Sequence, residues 1–263
     1  MHFILKIKTI IGESVLDRKK STIIDTNSMI SLGLYTEACE AADQRFGEST
    51  TKVLEVLRKK GKITNNSLEE SFLRQGFNLM RYLKMRENWE IYFSLFARSE
   101  LYRTLSERKF DEILTKSGVP FRIRKSKLAR TEIIFDYDKE VILRHKNVEK
   151  HLDDMGIELM RPETNDAIFK DTFDYIDAVS STISLDVFDS YIYSLSLRIP
   201  CSELYTNDKE FLIIVNKINK PDRVEWKKIS DKLKEKILTL PPYRDINRAD
   251  LPLIMFPKGK NKQ

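Results

Sequence analysis

Five acidic residues of this 263-residue chain sit beside apolar runs: Asp25 ends "STII", Glu100 follows "WEIYFSLF", Asp186 and Asp189 punctuate "LDVFDSYIYSLSL", and Asp208 follows "SELYT". Asp186 and Asp189 are three residues apart, which on a helix places both on one face. Brought to one place, such carboxylates repel one another unless cations balance them, and hard divalent ions with oxygen ligands do that. Each acid also has a purely structural reading. Asp25 and Asp208 are suited to cap helices, with Thr206 and Asn207 as alternative caps for the second, and Glu100 suits the positive end of a helix dipole. Asp186 and Asp189 could form a solvated helix face. Taken singly, the structural readings are favoured, so a functional reading rests on the combination and its order.

The positioning elements follow from pattern and punctuation. In an open parallel sheet, functional groups gather beyond the carboxyl ends of the strands. Strands are expected at Ser21–Asp25, Trp89–Phe96, Gly156–Glu163 and Ser202–Thr206. Helices are expected at Thr36–Phe46, at Thr50–Lys60 closed by Gly61, and from Asn66 or Ser67 to about Met85. Further helices are expected in "ARSELYRTLSER" and at Ala167–Ser180, Leu185–Arg198 and Arg223–Leu238. The runs Thr131–Tyr137 and Glu140–Leu143, separated by Asp138 and Lys139, suggest a hairpin. "FLIIVNKI" fits strand or helix equally. Alternating strands and helices argue an α/β fold with a mainly parallel sheet.

Composition sets the frame. With 41% hydrophobic residues the chain can bury a large core, and a net charge of +6 is compatible with a nucleic-acid or anionic partner. Cys39 and Cys201 are distant and in no CxxC pattern, and His2, His145 and His151 have no zinc-site spacing, so a reducing compartment without a disulfide framework is expected. The opening "MHFILKIKTIIGE" is broken by Lys6 and Lys8 and is read as a strand or an arm rather than a membrane span or signal peptide. The expectation is a soluble cytoplasmic protein with no membrane association.

The motifs together resemble those of the PIN-domain nucleases. "STIIDTNSMI" looks like their first motif, a strand ending in Asp followed by a Thr-Asn pair. "FSLFARSELYRTL" is similar to the second, a Ser on a strand and a Glu opening the next helix. "DVFDSYIYSLSLRI" resembles the third and "ELYTNDKEF" the fourth, with Asp189 and Asp208 19 positions apart. The resemblance covers about residues 20–105 and 155–215. It implies a PIN-like three-layer α/β fold in one domain over residues 1–263, with core about 20–105 and 155–220, a basic insertion about 107–150, and a C-terminal helix and tail about 221–263.

The resemblance further implies a metal-dependent endoribonuclease that uses Mg²⁺ or Mn²⁺ and leaves a 3′-hydroxyl and a 5′-phosphate. Asp25 and Asp208 are then the surest metal ligands, Asp189 and Glu100 complete the set, and Asp186 is the uncertain fifth acid. Asn27 and Thr206 are candidates for orienting ligands or water. The stretch "RIRKSKLAR" supplies Arg122, Arg124, Lys125, Lys127 and Arg130, with Phe121 beside them; it suits a phosphate backbone and an unstacked base, or is an ordinary solvated loop. Some relatives are toxins, so an antitoxin-like partner is conceivable, as is a homo-oligomer. The competing readings are a non-catalytic nucleic-acid or protein-binding module that keeps the fold, and a DNA-directed, structure-specific nuclease.

Overall fold

A computed structural model describes residues 20–61, 67–124, 133–199, 203–241 and 254–255. The amino-terminal segment read as a strand or arm and the basic residues Lys125, Lys127 and Arg130 lie outside the described residues. Strands β1 (Ser21–Ile24), β2 (Glu90–Tyr92), β3 (Leu159–Met160) and β4 (Glu203–Tyr205) form an all-parallel four-stranded sheet in the order β3-β2-β1-β4. The two-residue β5 (Ile254–Met255) continues it in parallel beyond β4. Every residue of β1 is buried, as its central place requires, and its β-branched pair Ile23 and Ile24 is fully inaccessible. Thr22 faces Glu203 in register, and Ser21 faces Glu90. The chain leaves β1 for a neighbour on one side and later returns to pair on the other. This makes the gap between β1 and β4 the switch point of the sheet, the place where open parallel sheets gather their functional groups.

Ten helices occur among the described residues: α1 (Thr26–Ala42), α2 (Thr50–Lys59), α3 (Ser67–Lys84), α4 (Leu95–Lys116), the single turn α5 (Phe121–Arg124), α6 (Leu143–Asp153), α7 (Asp166–Ser180), α8 (Val187–Arg198), α9 (Lys209–Asn219) and α10 (Val224–Leu238). Helix α1 packs with α2, α3, α4 and α6, while α7 packs with α8 and α10, and α9 with α10. Because α1 is surrounded, it is buried on several sides, from Met29 and Leu32 through Tyr35 and Cys39 to Ala42. It approaches α3 tightly at Gly76, where a Cβ would stand 2.1 Å from the Ser31 carbonyl oxygen. Only glycine fits there without a backbone shift.

Several expectations change. The helix expected from Thr36 begins ten residues earlier, at Thr26, directly off β1. The strand expected over Trp89–Phe96 is only Glu90–Tyr92, because Ser94 accepts a hydrogen bond from the Ala97 amide at 2.9 Å and starts α4. The hairpin expected around Asp138 does not form. Asp138–Ile142 is a π-helical turn that runs into α6. Val141, His145, Val148 and Leu152 recur at helical spacing and are all buried, and this periodicity outweighs the local β-preference. "FLIIVNKI" resolves as helix α9, with Phe211, Val215 and Ile218 on its buried face. No helix among the described residues is long and apolar enough to cross a membrane.

The amino-terminal edge of the sheet holds a charge that is fully answered. Glu203 Oε2 lies 2.6 Å from Arg86 Nε and accepts the Tyr82 hydroxyl at 2.6 Å, and Thr22 Oγ1 is 2.7 Å from the same hydroxyl. The Arg86 guanidinium also stacks 3.6 Å from the centre of the Tyr82 ring. The opposite edge is built differently.

Candidate active site

Asp25 occupies the N-cap position of α1, yet its side chain makes no capping hydrogen bond. The purely structural reading of this residue therefore fails on geometry. Its carboxylate turns across the switch point instead. Thr206, just past β4, donates its hydroxyl to Asp25 Oδ2 at 2.9 Å, and the Asp25 amide donates to the Tyr205 carbonyl at 3.0 Å. The same Thr206 oxygen accepts the Asp208 amide at 2.9 Å. One hydroxyl thus ties the acid at the end of β1 to the backbone that carries the acid after β4. Asp25 is only 5% exposed, and no cation lies within ion-pair distance of it among the described residues.

Asp208 and Asp186 do act as caps. Asp208 Oδ1 accepts the amides of Glu210 and Phe211 at 2.8 and 3.0 Å and starts α9, leaving Oδ2 outside the cap. Asp186 Oδ1 accepts the Asp189 amide at 2.8 Å and starts α8. Asp189 is therefore in the first turn, half-buried and facing the other acids. Glu100 does not open its helix as expected. It lies in the second turn of α4, with Arg103 at 3.9 Å one turn on.

Two of the acids are held against their charge. Burial pushes the Asp25 carboxyl up to about 7; the Thr206 hydrogen bond and the Thr26 amide oppose this, while Glu100 and Asp208 reinforce it. Burial also pushes the Asp189 carboxyl up to about 8, and Asp186, Asp25, Asp208 and Glu100 each add to the rise. The acids after β1, on α4, on α8 and in the β4–α9 connection thus lie near enough for Glu100 and Asp208 to act on Asp25 and Asp189. Among the described residues, however, no three His, Cys, Asp or Glu side chains stand in a ready-made metal shell. Of the four acids, Asp208 also holds a helix start, through Oδ1.

The remaining expected residues fall into place unevenly. Asn27 is exposed on the first turn of α1. Arg122 is exposed on the single turn α5, and Arg124 Nε donates to the Val119 carbonyl at 2.8 Å. The backbone of Phe121 opens that turn. Several neighbours escaped sequence reasoning: Ser94 as the cap of α4, Thr26, whose hydroxyl donates to the Ala97 carbonyl at 3.3 Å, and the aromatic pair Phe96 and Tyr191. The spacing of Phe96, Glu100 and Arg103, which puts them on one helical stripe, was the available signal. Comparison of the chain with protein families, curated proteins and solved structures finds no match.

Proposed function

We propose that the protein is a metal-dependent endoribonuclease with a PIN-like architecture, hydrolysing RNA at the carboxyl edge of its sheet. The observation that carries this reading is the buried Asp25 carboxylate, which caps no helix and is joined through the Thr206 hydroxyl to the backbone of Asp208; the raised carboxyls of Asp25 and Asp189 support it. Glu100 and Asp208 make the Asp25 and Asp189 carboxyls harder to ionise, and a divalent cation relieves that repulsion. The donor set is all oxygen, which suits Mg²⁺ or Mn²⁺ with water completing the shell. Asp25, Asp189, Glu100 and the free oxygen of Asp208 would hold it. When bound, such an ion positions a phosphodiester, lowers the pKa of an attacking water and stabilises the leaving oxygen. The chain's own residues hold the acids in place: Thr206 orients Asp25, and the caps formed by Asp186 and Asp208 fix where α8 and α9 begin.

A second reading is favoured by two observations. The capping bonds of Asp208 and the lack of a ready-made three-acid shell among the described residues also suit a module that binds nucleic acid without cutting it. The two readings separate in one assay. Purified protein should cleave single-stranded RNA with Mg²⁺ or Mn²⁺ and not in excess chelator, and Asp208→Asn, which keeps the cap but removes the charge, should abolish cleavage while RNA binding persists. Binding without cleavage at any metal concentration would favour the module.

A further inference from the structure

Helices α4 and α8 meet along two stripes at the carboxyl edge. On α4 the stripe is Phe96, Glu100 and Arg103; on α8 it is Phe188 and Tyr191, with Asp189 next to Phe188 in the same first turn. The Phe96 ring lies 4.4 Å from the Tyr191 ring, and the Arg103 guanidinium lies 5.6 Å over the Phe188 ring. Glu100 is therefore flanked along its helix by an aromatic contact on one side and a cation-on-ring contact on the other. Tyr191 is buried and its hydroxyl donates to Glu163 Oε1 at 2.6 Å, so the surface beneath Phe96 is fixed. Phe96 itself is 43% exposed, and Leu95 and Val187 beside the two helix starts are 39% and 79% exposed. A soluble chain does not gain stability from open apolar groups at a helix start, and these border the acids and not a distant face.

We propose that Phe96 is a stacking platform for an unpaired base of the RNA strand, next to the bond that the acids address, with Arg103 on Phe188 meeting the strand's phosphate. This rests on the ribonuclease reading and adds its strand preference. Three features identify the occupant. A ring supported from behind and open in front accepts the π-face of any base. A guanidinium that is 60% exposed offers a phosphate contact within the same seam. A base inside a duplex is already stacked on both faces and cannot use the ring, so the platform selects single strands.

The test is steady-state cleavage of a short single-stranded oligoribonucleotide in Mg²⁺. Phe96→Ala should raise KM by about 5- to 150-fold, the loss expected for one base–aromatic stack, with kcat little changed. Phe96→Trp should keep the wild-type KM. Phe96→Leu fills the space against Tyr191 without a ring, so it should behave like the Ala variant even if the Ala variant proves unstable. An oligonucleotide carrying an abasic site beside the cleaved bond should remove the difference between wild type and Phe96→Leu. If Phe96→Leu and Phe96→Ala cleave the intact strand with the wild-type KM, the platform is wrong and the ribonuclease reading stands. If the wild-type protein cleaves no RNA, both fall together.

Discussion

Thr206 donates its hydroxyl to Asp25 while accepting the amide of Asp208, and so joins the ends of β1 and β4 at the switch point of the sheet. Removing the hydroxyl leaves the buried Asp25 carboxylate and the half-buried Asp208 amide without that partner. Thr206→Val should lower stability by about 1–3 kcal/mol. It should also move the acid limb of the activity profile to higher pH, because the bond that restrains the Asp25 carboxyl is lost. Thr206→Ser should restore both. Denaturant unfolding and a pH–rate profile of the two variants check this.

Stability in chelator should fall as the solution becomes more basic. The Asp25 and Asp189 carboxyls are raised from the ordinary 3.8 to about 7 and about 8 in the folded protein. The folded state therefore binds more protons than the unfolded state across that window, and their stabilising contribution, complete below the ordinary value, is lost as pH rises through the folded values. Melting temperature in chelator should drop between mildly acidic and mildly alkaline buffer. Added Mg²⁺ or Mn²⁺ should cancel the drop through binding to the folded state.

Asp189 and Asp186, on the same helix start, should respond in opposite directions. Asp189→Asn relieves repulsion and should raise the melting temperature in chelator. Asp186→Ala removes the cap on the Asp189 amide and should cost about 1 kcal/mol with or without metal. Thermal unfolding of both variants, each with chelator and with Mn²⁺, measures the two signs directly.

Much of this edge was legible in the sequence because strand ends and helix caps are local features. Asp25 past "STII", Asp208 past "SELYT" and the order of the acids were all readable, and the parallel α/β class followed from alternation. What was not readable depended on tertiary burial. The region from Asp138 has β-forming residues, yet Val141, Val148 and Leu152 bury on a helical face once they meet the core. That Asp186 caps α8 while Asp189 sits in its first turn was not readable, since a spacing of three puts both acids on one face. Glu203 opens a strand that reads as ordinary, and nothing local announces Arg86, 117 residues away, as its partner.

That buried pair gives a prediction independent of function. Glu203→Gln leaves the Arg86 guanidinium, itself only 6% exposed, without its counter-charge. The cost should be about 3–5 kcal/mol in denaturant unfolding, whereas replacing both with well-packed apolar residues should cost far less. Catalytic competence of the folded fraction should be unchanged, because the pair sits at the other end of the sheet.

The central claim is that Asp25, Glu100, Asp189 and Asp208 form one divalent-cation site. Calorimetric titration of the protein with Mn²⁺ tests it most directly, at pH values on either side of the folded Asp25 and Asp189 carboxyls at about 7 and about 8. The expected result is saturable binding that strengthens as pH rises and releases protons, is lost in Asp25→Asn and Asp208→Asn, and is kept in Glu203→Gln. Binding that is absent, or equal in wild type, Asp25→Asn and Asp208→Asn, would contradict it.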